Sequence, residues 1–186
     1  MTTRDEEIEA AHIDEPPLHN ASIKLAEYDP TWPDLYEREA KRIERALGGR
    51  IIRLEHVGST SVTGLVAKPV IDILLEVPDS SNEQAWLPEL EAQGYRLKIR
   101  EPNWHQHRLL KGPDTDINLH VFSAGASESE RLLRLRDWLR LHPDDRREYE
   151  AAKRELAART WKYTQHYADA KTQVIEQILA RAITEH

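Results

Sequence analysis

The sequence predicts an α+β domain: a mixed sheet flanked by helices, followed by a helical C-terminal third. Three observations lead there. Short β-branched, apolar runs alternate with helically spaced apolar positions through the first two thirds of the chain. One run, Val70–Val77, is nearly continuous in apolar residues, as a strand covered on both faces should be. After Gly125 the periodicity becomes helical and stays so to the end.

In order along the chain, residues 1–20 carry six acids and the pair Pro16–Pro17 with few apolar side chains, and are expected to form a flexible, dispensable acidic leader holding at most a short helix over 4–12. Residues 21–186 then form a single domain whose helical part is 127–186. Ile23–Tyr28 reads as a short strand. Trp32, Leu35, Tyr36, Ala40, Ile43 and Leu47 repeat with helical spacing until Gly48–Gly49 stops the helix. Ile51–Val57 is a strand that runs into the turn Gly58-Ser59-Thr60-Ser61, where a short helix is expected to open. Val70–Val77 follows, then a helix over Asn82–Gln93 ended by Gly94. Tyr95–Ile99, His107–Lys111 and Ile117–Phe122 are three further strands, the last two joined as a hairpin by Gly112-Pro113-Asp114. The stripe Leu132, Leu133, Leu135, Trp138, Leu139 and Leu141 marks a helix broken at Pro143, and Asp144–Tyr163 and Tyr167–Ile183 supply two more. The charged helix over 144–159 reads as a solvated face.

Composition excludes several classes of function. There is no cysteine, so disulfides, thiolate metal sites and cysteine nucleophiles are absent. With 33 acidic against 26 basic side chains and a net charge of −7, general nucleic-acid binding is not expected, although a local basic pocket for a phosphate is compatible with that balance. No apolar run approaches membrane-spanning length, and the acidic start lacks the apolar core of a signal peptide. A cytoplasmic location is the expectation. Oligomeric state is not legible.

The most informative stretch is His56-Val57-Gly58-Ser59-Thr60-Ser61, followed by Lys68-Pro69-Val70-Ile71-Asp72-Ile73. A strand ending in Gly-Ser at a helix start exposes N–H groups that attract phosphate oxygens, and the Ser and Thr hydroxyls add donors. The chain then has room to turn and return as a strand that sets Asp72 beside the same turn, where a carboxylate can hold Mg²⁺ against bound phosphates. The same residues also suit an ordinary loop and a hydrogen-bonded strand Asp. A P-loop is excluded, because Gly64 is followed by Leu65 and not by Lys-Ser or Lys-Thr. His107 and His120, with Arg108, sit on the hairpin expected beside the Asp72 strand, where histidines can protonate a phosphate or bind a metal. His105 reads as exposed. Arg136 and Asp137 suit a local ion pair on a solvated helix face.

The segment HVGSTSVTGLVAKPVIDI resembles the signature of the GrpB family, which is nucleotidyltransferase-like. INLHVF at 117–122, RLRDWLRLHPDDRREYEAAKRELA at 134–157 and YADAKTQVI at 167–175 extend the resemblance over nearly the whole chain after residue 22. The resemblance implies a nucleotidyltransferase-like α+β sheet in which Gly58 and Ser59 match the superfamily's turn and Asp72 matches one of its strand carboxylates. It also raises Lys171 as a cationic helix residue directed at a triphosphate. The pattern is incomplete. Val70 and Leu74 flank Asp72 on its face where a second acid belongs, Glu76 lies further along, and the later strand offers Asp116, Asn118 and His120 on one face, with an acid only at its start.

Three functions follow. The first is transfer of a nucleotidyl group from a nucleoside triphosphate to an unnamed acceptor, with Gly58, Ser59, Thr60, Ser61, Lys68, His107, Arg108 and Lys171 holding phosphates, Asp72 holding Mg²⁺, and Asp72 and His120 as catalytic groups. The second is a non-catalytic module that binds a nucleotide or other phosphorylated small molecule with a degenerate metal site. The third is another phosphoryl-transfer reaction using His107 or His120.

Overall fold

The computed structural model describes residues 2–184. Five strands form one mixed sheet: β1 (Arg53–Val57), β2 (Ile71–Val77), β3 (Arg96–Glu101), β4 (His107–Lys111) and β5 (Ile117–Ser123), in the spatial order β1-β2-β5-β4-β3. Only β2 and β5 run parallel; every other neighbouring pair is antiparallel. The parallel pair is joined by a crossover through α3 (Leu87–Ala92), β3 and β4. The two strands at its centre are the most apolar runs of the sequence, as burial on both faces requires.

The strand alternation sorts the side chains into two unequal faces. On one face Ile71, Ile73, Leu75 and Val77 of β2 and Ile117, Leu119 and Val121 of β5 pack with Trp32, Ile43 and Leu47 of α2 (Trp32–Leu47) and with Trp86, Leu90 and Tyr95 in the main core. The other face carries Asp72, Leu74 and Glu76 of β2 and Asn118, His120 and Phe122 of β5. Helix α4 (Ser127–Leu141) covers only part of it, through Leu132 and Leu133 against Val57, Leu74 and Phe122. At the Asp72 end of that face the side chains of Asp72 and His120 remain 29% and 24% exposed. Helices α5 (Pro143–Ala157), α6 (Thr164–Ala170) and α7 (Thr172–Thr184) complete the helical third, and a second cluster joins Trp138, Leu139, Tyr149 and Ile178 to Val62 and Leu65.

Local chemistry sets the boundaries. Helix α2 places Pro33 in its first turn, where a missing N–H is harmless, and ends at Gly48, whose φ of 53° only glycine adopts cheaply and whose N–H returns to the Glu44 carbonyl. The helix expected over 82–93 divides into a 3₁₀ turn (Glu83–Ala85) and α3, because Pro88 cannot donate within a continuous helix and instead sits in the first turn of a new one. The last helix is divided at Lys171. Ile23–Tyr28 is not a sheet strand. It makes a single bridge, Ala26 to Ala67, outside the sheet.

The leader holds the short helix expected of it but departs from expectation by packing against the domain. Residues 5–11 form α1, whose Ile8 is buried at 4 % exposure, and Pro16 is buried too. The Ile13 N–H donates to the Lys98 carbonyl of β3, and the Tyr163 hydroxyl donates to Glu9 at 3.0 Å. Asp5 pairs with Lys162, and Asp14 with Lys98 at 3.1 Å. Two of the six acids that suggested a solvated tail, Asp5 and Asp14, are bound to basic residues of the domain, and Glu9 is held by Tyr163. A chain starting at Ser22 is therefore expected to melt roughly 4–8 °C lower than the full chain, since burying one Ile is worth ~2 kcal/mol. Equal melting temperatures in calorimetry would show that this contact contributes nothing.

Candidate functional site

Asp72 stands on β2 opposite Val57 of β1 and Asn118 of β5. Strand β1 ends there, and the chain turns through Gly58 and a single 3₁₀ turn, Ser59–Ser61. Gly58 adopts φ 71° and ψ −173°, and a Cβ on it would lie 2.5 Å from Asp72 Oδ2. Glycine is required here twice, by the backbone angle and by the approach of the carboxylate. Ser61 donates its hydroxyl to the Gly58 carbonyl, and Thr60 is buried with its Oγ1 bonded to His56 Nε2 at 2.9 Å. These two hydroxyls therefore shape the turn and are not free for a phosphate, contrary to expectation. The Ser59 side chain and the N–H groups of Ser59 and Thr60 make no hydrogen bond among the described residues and are the donors left for a ligand.

Across the open face a row of side chains links all four strands that follow β1 in space. Asn118 Nδ2 donates to Asp72 Oδ1 at 3.0 Å, and His120 Nε2 lies 3.3 Å from the same oxygen. His120 Nδ1 meets His107 Nε2 at 3.1 Å, and His107 Nδ1 meets Glu101 Oε2 at 2.6 Å. The run Glu101–His107–His120–Asp72 contains three hydrogen bonds, and each needs one proton. Two neutral imidazoles supply two. With all three bonds made, the network holds a third proton and carries one negative charge instead of two. Burial drives His107 down to about 4 despite the Glu101 bond, so its ring stays neutral and donates to Glu101. With His107 Nδ1 donating to Glu101, His107 Nε2 is the acceptor turned toward His120 Nδ1. Burial raises the Asp72 pKa, but the His120 bond and charge, the Asn118 bond and the Lys171 charge outweigh it, and Asp72 remains ionised below the usual carboxylate range.

Lysines surround this carboxylate. Lys68 is partly buried, and burial followed by the fields of Asp116, Lys111, Asp72 and Lys171 leaves its pKa lowered. Lys111 donates to Asp116 at 2.6 Å and to Asn118 at 3.0 Å. Lys171, at the junction of α6 and α7, lies 4.7 Å from the Tyr167 ring centroid. Lys153 was not anticipated. It projects from the α5 segment read as a solvated face, yet it is 1 % exposed and donates to the Val66 carbonyl. Burial, then the neighbouring Lys171 charge, hold it well below the usual lysine range. Its sequence signal was faint: Tyr149, Lys153 and Ala157, which the fold buries together, are spaced four apart.

Two further expectations are corrected. Arg108 pairs with Val121 in register and so lies on the opposite face from Asp72. It is buried, with Nε donating to Glu83 at 2.5 Å, and is not available to a phosphate. Arg136 makes the expected ion pair with Asp137, at 2.8 Å, but is not on a solvated face: it bridges α4 to β1 through Glu55 at 2.7 Å and the His56 carbonyl at 3.0 Å. Glu76 is buried beneath α4 and paired with Arg53 at 3.3 Å, too far along β2 to join the site.

A divalent cation does not fit this donor set. No group of three or more His, Cys, Asp or Glu is arranged to hold a metal among the described residues. Asp72 Oδ1 already accepts from Asn118 and His120, and the charges around it are cationic, which opposes a second cation and favours an anion. The position opposite Asp72 that could have been a further carboxylate is Asn118.

A mixed five-stranded sheet with helices on both faces, a Gly-Ser turn after an edge strand and an acid on the next strand make an α+β protein. Residues 22–181 match the family described as GrpB protein, and the chain belongs to that family. A UPF0157 protein of Halalkalibacterium halodurans is 57% identical over 96% of this chain and 91% of its own. A dephospho-CoA kinase of Mycolicibacterium paratuberculosis is 30% identical over 76% of this chain, the match spanning 41% of that longer protein. The crystal structure of conserved protein GrpB from Enterococcus faecalis superposes with a TM-score of 0.76 at 28% identity, covering 87% of this chain and 98% of that one.

Proposed function

We propose that the chain binds the phosphates of a nucleotide or another phosphorylated small molecule on the open half of the sheet, without a resident metal. The observation that carries this reading is that Lys68, Lys153 and Lys171 stand in the field of Asp72, with Lys111 beside them on Asp116 and Asn118, so that four lysines face two carboxylates. A buried lysine without a close carboxylate is costly. A phosphate would relieve that cost, and the Ser59 and Thr60 N–H groups supply donors to it. Calorimetric titration of ATP into the full chain tests the reading. Lys68→Ala should weaken binding roughly tenfold or more, as loss of a charge-assisted bond implies, and Ser59→Ala by less, with the melting temperature of the free protein nearly unchanged. Equal affinity in Lys68→Ala and the parent would place the phosphates elsewhere.

The histidine relay favours a second reading, group transfer to an acceptor. His120 Nε2, beside Asp72, is positioned to exchange a proton with a phosphate oxygen or leaving group, while the bond to His107, itself fixed by Glu101, orients the ring. Pyrophosphate release during the ATP titration would bring this reading forward, whereas binding alone supports the first.

A further inference from the structure

A second concavity opens at the other side of the Gly58–Ser61 turn, beside β1, which is an edge of the sheet. It has a volume of about 510 Å³, and Ser61 is part of its wall. That size lies within the range of roughly 300–1,000 Å³ found for small-molecule sites. None of Asp72, His120, Lys68, Lys153 or Lys171 lines it, so it is separate from the sheet-face site.

Its chemistry is cationic and aromatic. Arg136, Arg140 and Arg146 line it, with Tyr28, Tyr36 and His56. Arg136 is neutralised by Glu55 at 2.7 Å and Asp137 at 2.8 Å. The other two are not. The carboxylate nearest Arg140 is Asp137, 3.9 Å away and already occupied by Arg136. Arg140 instead donates to the Ser61 carbonyl at 3.0 and 2.8 Å, and Arg146 donates to the Leu139 carbonyl at 3.3 Å, both neutral partners. In a chain of net charge −7, Arg140 and Arg146 place two guanidinium groups on one cavity without a carboxylate closer than 3.9 Å among the described residues. Burial and the neighbouring Arg136 charge lower the Arg140 pKa, in keeping with a cation lacking its counter-ion. On the aromatic side Tyr36 and His56 stack with centroids 4.9 Å apart and planes 10° apart. His56 is buried and burial holds its pKa near 4, so this wall is flat and uncharged at neutral pH.

We propose that this cavity is a second ligand site that takes a small anion joined to a planar ring, of the nucleoside monophosphate kind. Arg140 and Arg146 hold the phosphate as bidentate guanidinium partners. Tyr28 and the Tyr36–His56 stack border the ring, and the exposed Glu37 carboxylate accepts from its amino or hydroxyl groups. The site does not depend on the sheet-face reading, and the two share only the turn between them.

The test is an NMR titration of the labelled full chain with AMP, because His56 reports this cavity and His120 reports the sheet face. AMP should move the His56 ring resonances saturably, at lower concentration than adenosine or inorganic phosphate given separately. Arg146→Gln should raise the midpoint seen at His56 at least tenfold. Arg140→Gln should do the same, but it also loses the tie to Ser61, so Arg146→Gln is the deciding variant provided its melting temperature matches the parent's. A His56 signal that does not respond to AMP overturns the proposal, and so does an unchanged midpoint in Arg146→Gln. Because His56 also bonds Thr60 in the turn beside Asp72, the variant separates the two sites: Arg146→Gln should raise the midpoint seen at His56 and leave any midpoint seen at His120 unchanged.

Discussion

Gly58→Ala is expected to destabilise the protein by roughly 2–6 kcal/mol and to displace the Asp72 carboxylate. Two effects add. The backbone sits at φ 71° and ψ −173°, a region that costs a residue with a side chain on the order of 1–3 kcal/mol. The new methyl would also meet Asp72 Oδ2 at 2.5 Å and its Cβ at 3.0 Å, an overlap that costs typically another 1–3 kcal/mol to relieve. Moving that carboxylate breaks its bonds to Asn118 and His120, so ligand binding at the sheet face should fall with stability. Gly125→Ala is the control. It has φ 79° but nothing within 4 Å of the place its methyl would take, so it should carry the backbone penalty alone. Urea unfolding of both variants separates the effects, and equal losses would show that the contact between Gly58 and Asp72 is unimportant.

The second large effect is acid sensitivity. Burial drives the pKa of both His56 and His107 down to about 4, against about 6.5 for an unfolded histidine. Between those values the unfolded chain binds more protons than the folded one, so stability rises with pH across the window. The stability these residues contribute by staying neutral is therefore intact above about pH 6.5, is lost as pH falls toward 4, and changes little further below that. Each histidine accounts for on the order of 3 kcal/mol over the window. His56→Gln should flatten the pH dependence by about that amount, provided the glutamine keeps the bond to Thr60 Oγ1. Unfolding free energies at pH 7, 5.5 and 4 check it, and a parent whose stability does not change over that range would contradict the assignment.

Much of the framework was legible because it rests on local rules. The five strands, the long helix α2 and the helix before Pro143 follow from periodicity and from Gly and Pro, and the turn beside Asp72 was found because Gly-Ser and an acid on the next strand form a compact motif. The failures share a different cause. Whether Arg108 or His107 faces the site depends on strand register, and the hairpin sends the two to opposite faces. Thr60 and Ser61 look like phosphate donors until the turn closes on itself and uses their hydroxyls internally. Lys153 in a highly charged helix is indistinguishable from its solvated neighbours until α5 packs it beneath Val66. The acidic leader looked unstructured because its partners, Lys98, Lys162 and Tyr163, are distant in sequence. For Arg108, Lys153 and the leader a long-range contact decided what local composition left open, and for Thr60 and Ser61 it was the geometry of the turn itself.

On the proposed reading, the Asp72 face receives phosphates through lysines and backbone N–H groups and does not need a metal ion to do so. The most direct measurement is the affinity of the full chain for ATP, by calorimetry, first in EDTA and then with excess Mg²⁺. The expected result is binding in EDTA that Mg²⁺ changes by no more than about threefold, a difference of less than ~0.7 kcal/mol. Binding that appears only when Mg²⁺ is added would contradict it and return Asp72 to the role of a metal ligand.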